Sequence, residues 1–283
     1  MALARAAMWM SGAVVSFSTM AVAGRAVSAE LDTFELMTYR SLIGIALVCA
    51  IGGMSGTLGQ IRTDRLGLHL IRNVFHFAGQ NLWFLAIALI PLAQVFALEF
   101  TSPIWVALFA PLVLGERLTP RNLLAAVIGF CGILIVARPG AAEIGPGQIA
   151  AFCAALGFAG SALFTRKLTR HERITSILFW LTAMQAVMGL ICAGADGQIA
   201  WPSSAIWPWL ILIGCAGLSA HFCLTSALAI APAPMVMPMD FLRLPVIMVV
   251  GFYLYSEPAE IAVFFGGAII IAANAINLRA PAK

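Results

Sequence analysis

Four full charges and two imidazoles stand where an apolar chain has least use for them: Arg40, His76, Glu99, His221, Asp240 and Arg243. Each falls inside a run of Ala, Leu, Val, Ile and Phe. A charge in hydrocarbon costs about 2.5–3.5 kcal/mol on insertion scales, and such residues usually bind or conduct something. Asp240 and Arg243 are spaced i, i+3, so they share one face of a helix. The plainer expectation is that the charges pair among themselves, Asp240 with Arg243 and Glu99 with Arg40 or a backbone donor. The sharper one is that Arg40 or Arg243 meets a ligand carboxylate, which a guanidinium grips with two parallel hydrogen bonds. An acid could instead hold an amine or carry a proton. His69, Arg72 or Asn73, His76, Gln80 and Trp83 form a polar stripe at spacings of three and four, one face of a helix. His69 and Arg72 are expected to snorkel at a membrane interface, with His76 and Gln80 deeper. Gly217, His221 and Thr225 form a second stripe at i, i+4, i+8. Tyr39 and Trp180 are candidates to sandwich an apolar or aromatic group, against ordinary packing.

Other chemistries find no footing. No HExxH, Walker A or GxGxxG after a strand occurs, so neither zinc hydrolysis nor ATP hydrolysis is expected. The six cysteines form no CxxC and read as buried free thiols, with no metal and no cofactor expected. Gly53-Met54-Ser55-Gly56 fits a G-x-S-G serine-hydrolase pattern. Ser55 falls at the end of an apolar run, and His221, the only base imagined for it, should lie deep; a nucleophile needs its base within about 3 Å. An intramembrane serine hydrolase is therefore a remote alternative, and no catalytic residue is assigned.

The elements that must position the polar residues are membrane helices. Of the 283 residues, 62% are hydrophobic and 10% charged, and mean hydropathy is +0.99. Apolar stretches of about 20 residues, the length needed to span a bilayer, lie near 6–27, 34–54, 67–90, 92–114, 120–138, 148–166, 174–194, 207–230, 233–255 and 260–279. Short Pro-, Gly- and charge-bearing turns separate them. Arg5 followed by Ala21-Val22-Ala23 imitates a signal peptide, but the segment has a partner in mid-chain and is expected to stay as a span. Twelve Lys and Arg gather on one side of this layout and two on the other. By the positive-inside rule both termini are cytoplasmic. Trp201, Trp207 and Trp209 read as anchors at the outer interface. Nothing suggests nucleic-acid binding.

A shift of 141 residues aligns the chain with itself. Phe17 falls on Phe158, Arg25 on Arg166, Tyr39 on Trp180, Gln80 on His221, Pro91 on Pro232, Glu99-Phe100 on Asp240-Phe241 and Glu116 on Glu257. The expected domains are therefore 1–141 and 142–283, five spans each. An odd number of spans makes the second half enter the membrane from the opposite side. Inverted repeats of this kind place a site near the midplane, between the halves. Prolines concentrate in the fourth and ninth spans, and Pro103, Pro238 and Pro245 are candidate gating hinges. The fifth and tenth spans, with Gly129, Gly132, Gly266 and Gly267, are expected to be peripheral; monomer and weak homodimer both remain open.

Phe100-Thr101-Ser102-Pro103, Leu114-Gly115-Glu116-Arg117-Leu118, Gly129-Phe130-Cys131-Gly132 and Arg138-Pro139-Gly140 carry a resemblance to a known family. The chain resembles the drug/metabolite transporter superfamily, in its ten-span EamA-domain branch, across essentially its whole length. The second half departs mildly, with Ser256-Glu257 in place of Gly-Glu. The resemblance implies an all-α secondary transporter of the bacterial inner membrane, with no ATPase subunit. In length and layout it is most similar to the aromatic amino-acid exporters of that branch, which implies amino-acid export as the leading activity. Nucleotide-related metabolites, vitamins and drugs are the alternative cargo.

Overall fold

The computed structural model describes residues 2–116, 119–137, 145–195 and 197–256, with 265–266, 268–269, 272–273 and 276 beyond them. Among these residues there is no strand. The helices are α1 (Ala2–Val27), α2 (Thr33–Met54), α3 (Leu66–Leu89), α4 (Leu92–Glu99), α5 (Ser102–Leu114) and α6 (Pro120–Ala137). They continue as α7 (Pro146–Leu168), α8 (Ile174–Ala193), α9 (Trp207–Ile230), α10 (Ala233–Val236), a 3-10 segment Met237–Leu242, and α11 (Arg243–Tyr255). Among the described residues six stretches are long and apolar enough to cross a membrane: α1, α2, α7, α8, α9 and Ala233–Tyr255, which runs from α10 through the 3-10 segment to α11. Most of the expected tenth span lies outside the described residues. So do Arg117, Leu118, Arg138-Pro139-Gly140, Asp196, Glu257, Glu260, Gly267, Arg279 and Lys283.

The expected fourth and ninth spans are not continuous α-helices. α4 stops at Glu99, and α5 starts at Ser102 with Pro103 at its N-terminus. Proline lacks an N–H and pushes the preceding residue away from helical geometry, so it suits a restart and not a helix interior. In the ninth, Pro238 sits in the 3-10 segment and Pro245 in the first turn of α11, where that N–H has no intrahelical partner to lose. Glu99 and Asp240 thus stand at the two breaks, not midway along smooth helices.

Packing follows the 141-residue shift. α3 lies on α7, α1 on α9, and α2 on α8. Exchanging the halves, first-half residues shifted forward by 141 and second-half residues back by 141, turns the first pair into the second and leaves the third unchanged. Individual bonds repeat as well. Arg25 at the end of α1 donates to the Ile87 carbonyl at 3.2 Å, and Arg166 at the end of α7 donates to the Leu228 carbonyl at 2.5 Å. The α3–α7 contact is backbone-close: a Cβ on Gly157 would lie 2.7 Å from the Gly79 Cα and 2.8 Å from the Phe75 carbonyl oxygen. Gly129 of α6 leaves room for the Phe241 ring, so this plain-looking helix braces the 3-10 segment.

Polarity is arranged inside out. Met54, Leu112, Ile191 and Val249 face outward, while His69, Arg72, Asn73 and Gln80 are buried. Lipid satisfies the first group and would penalise the second. The thiols depart from the expected burial: Cys49 and Cys131 are exposed, and Cys153, Cys192, Cys215 and Cys223 are partly so. On an apolar surface facing lipid, a thiol gains nothing by turning inward.

Candidate functional site

A cavity lies where the two broken helices meet the α3–α7 and α1–α9 pairs. α3 contributes Arg72, His76, Gln80 and Trp83, and α9 contributes His221 and Thr225. Phe17 comes from α1, Phe158 and Thr165 from α7, and Glu99, Asp240 and Arg243 from the breaks. A narrower cleft, lined by Arg40, Thr182, Gln185 and Gly217, shares His221 with it.

One end of the cavity is a closed ionic knot. Arg243 donates through one nitrogen to Glu99 and to Asp240, the latter at 2.6 Å. The Trp83 indole N–H donates to the other Glu99 oxygen at 2.6 Å. The guanidinium carbon lies 4.7 Å from the Phe96 ring centre, 5.0 Å from Phe17 and 5.2 Å from Phe100. Aromatic faces stabilise a cation in this way where water is excluded. Asp240 Oδ1 and Arg243 Nε keep no partner. The pairing expected for Asp240 and Arg243 is present. Glu99, however, pairs with Arg243 and Trp83 and not with Arg40.

The other end is cationic. Arg72 donates to the Thr165 hydroxyl at 3.0 Å and to the Asn73 side-chain oxygen at 3.1 Å. Arg40 reaches the Met37 sulfur at 3.4 Å and lies over Gly217, where a Cβ would sit 2.7 Å from its Nε. Among the described residues, neither has a carboxylate at ion-pair distance. The expectation that His69 and Arg72 snorkel to an interface is wrong, because both are fully buried within the bundle. His76 and His221 meet edge to face, ring centres 4.6 Å apart. His76 Nε2, Gln80 Nε2 and both nitrogens of His221 have no hydrogen-bond partner. Buried polar atoms are normally satisfied, and within the protein each of these can still take a hydrogen bond.

Tyr39 and Trp180 line neither space. Tyr39 donates to the Ala200 carbonyl at 2.7 Å, and Glu35 accepts the Ala200 N–H at 2.6 Å. Trp180 donates to the Arg62 carbonyl at 2.7 Å, and Ser176 accepts the Arg62 N–H at 3.2 Å. Positions 35 and 39 in one half, and 176 and 180 in the other, thus each clamp one residue of a loop from the opposite half. Ser55 bonds the Ile51 carbonyl and Thr57 at the end of α2, while His221 contacts His76 and Phe17. No nucleophile–base pair forms between Ser55 and His221. Sequence reasoning missed Phe17, Phe158, Phe96 and Phe100 as lining or bracing residues. Repeat positions were the only signal for Phe17, Phe158 and Phe100, and Phe96 had none, since an inward phenylalanine reads like a lipid-facing one.

Comparison with known proteins now adds the family. The description of the EamA-like transporter family matches twice, over residues 4–138 and 145–279. The chain belongs to the EamA-like transporter family. A riboflavin transporter of Brucella anthropi is 34% identical over 245 residues, 85% of this chain and 86% of that protein. A riboflavin transporter of Rhizobium johnstonii is 30% identical, covering 96% of this chain and 90% of its own length. An S-adenosylmethionine uptake transporter of Rickettsia bellii is 23% identical over 94% of this chain and 90% of its own. A solved crystal structure at 20% identity, covering 96% of this chain and 95% of that one, gives a TM-score of 0.78 and shares the fold. The two EamA matches meet between α6 and α7, so the cavity lies between the two copies. The expectation of amino-acid export finds no support in these relatives; the vitamin class, held as its alternative, is the one they favour.

Proposed function

We propose that this EamA-family chain is a secondary transporter of a vitamin-class heterocycle, riboflavin foremost, working by alternating access. Its ten spans form two inverted five-helix repeats, residues 1–141 and 142–283, in a bacterial inner membrane with both termini cytoplasmic. The observation that carries the reading is the cavity between the copies: aromatic faces stand beside buried polar atoms that lack partners. Flat heterocycles with several carbonyls and hydroxyls suit such a lining, because rings stack on Phe17, Phe158 and Trp83 while imidazole and amide groups take the polar edge. The mirrored helix pairs support exchange between two equivalent conformations, with the breaks at Glu99 and Asp240 as the places that bend. Pro103, Pro238 and Pro245 border those breaks and are the proposed hinges.

Flux into proteoliposomes tests this. Riboflavin uptake should saturate and be competed by unlabelled riboflavin, with threonine, methionine and aromatic amino acids as weak competitors. Uptake that rises with an imposed pH gradient would identify proton coupling; indifference to the gradient would identify facilitated diffusion. No riboflavin flux from folded protein, with saturable flux of an amino acid instead, would return the site to amino-acid transport.

A further inference from the structure

The charge around the cavity and the cleft beside it is lopsided. Three buried guanidinium groups, Arg40, Arg72 and Arg243, face two buried acids, and both acids are spent on Arg243. Arg40 is 6% exposed and Arg72 is 2% exposed, and they keep only neutral partners. Beside them are His76, 2% exposed, whose Nε2 bonds nothing, and His221, 3% exposed, neither of whose nitrogens bonds anything. Guanidinium stays protonated at any working pH. Burying it without a counter-charge costs several kcal/mol, and that cost is recovered when an anion arrives.

The asymmetry is local. The 141-residue shift pairs Arg40 with Leu181, Arg72 with Ile213 and His76 with Gly217. The second half therefore supplies apolar or absent side chains where the first supplies two guanidinium groups and an imidazole, and Gly217 makes the room that Arg40 fills. The frame is two-fold; the charge is not. We propose that the end of the cavity at Arg72, His76 and His221, together with Arg40 in the cleft that joins it at His221, is an oxyanion subsite. It takes a carboxylate or phosphate borne by the cargo, while the ring system lies toward Phe17 and Phe158. The guanidinium groups supply charge-assisted donors, and the unpartnered imidazoles complete the oxygen shell. This rests on the cavity being the cargo site, and it favours a phosphorylated flavin over riboflavin itself.

Calorimetric titration of the purified full-length protein with riboflavin and with riboflavin 5′-phosphate tests it. The phosphate ester should bind at least about tenfold more tightly, the scale of one charge-assisted hydrogen bond. That ratio should fall toward one in Arg72→Gln and Arg40→Gln and persist in Arg72→Lys, read within each variant whatever its absolute affinity. Orthophosphate and acetate, added as competitors, say whether phosphate or carboxylate is the preferred group. Equal affinity of the wild-type protein for the two flavins, with no competition by either anion, overturns the subsite and leaves the flavin reading intact. If neither flavin binds, yet orthophosphate raises the unfolding temperature of the wild type and not of Arg72→Gln, the subsite stands and the flavin reading falls. Wild-type protein that answers to no flavin and no anion overturns both.

Discussion

Arg243 holds together more of this site than any other side chain. It bridges Glu99 and Asp240 across the two breaks and fills a box of three phenylalanine rings. Removing it leaves two carboxylates facing each other in low dielectric, which destabilises by about 3–5 kcal/mol when a buried pair loses one partner. Arg243→Met should therefore lower the unfolding temperature in detergent sharply. Adding Glu99→Gln and Asp240→Asn should restore most of the loss, because no buried carboxylate is then left without its counter-charge. A triple variant as unstable as the single one would mean that the knot stabilises by shape and not by charge. Sequence spacing made Asp240 and Arg243 legible as a pair. It could not show that Glu99, 144 residues away from Arg243, belongs to the same knot, because nothing local records which helices meet.

At the scale of elements, the loops are tied across the halves by matched pairs. Ala200 is held by Glu35 and Tyr39, and Arg62 by Ser176 and Trp180, each through its own N–H and carbonyl. These ties sit away from the cavity, so they bear on movement and not on contact with cargo. A single neutral hydrogen bond is worth about 0.5–1.5 kcal/mol net. Tyr39→Phe and Trp180→Phe should each change the transport rate by a factor of about 2–10 while calorimetric affinity moves little. A change in affinity alone, with the rate untouched, would place these residues at the cargo after all. The helices themselves were readable almost to the residue through the ninth span, because lipid imposes a length of apolar run and turns carry charge. The breaks at 100–101 and 237–242 were marked by prolines, but proline in a membrane helix marks a kink as readily as a restart.

At the scale of the molecule, the proposed orientation rests on the cation count and is directly measurable. Gly59 and Ser204 lie on opposite sides of the proposed bilayer, and both are exposed. In a variant with the six cysteines replaced by serine, Ser204→Cys should react with a membrane-impermeant maleimide in intact cells. Gly59→Cys should react only after the membrane is opened. The reverse pattern would invert the topology while leaving the helix packing unchanged.

The sequence by itself determined the membrane class, the approximate place of most described helices, the internal repeat and the family, because each is written in local composition or in a fixed offset along the chain. It also picked out the polar stripe on α3 and its answer on α9, since helical spacing alone puts those residues on one face. Only the tertiary structure decided which charges meet. It gave Glu99 to Arg243, left Arg40 and Arg72 without an acid, and sent Tyr39 and Trp180 to the loops. Those outcomes depend on which helix crosses which and at what depth. A two-fold frame carrying unlike side chains at like positions settles that in space, and no spacing along the chain expresses it.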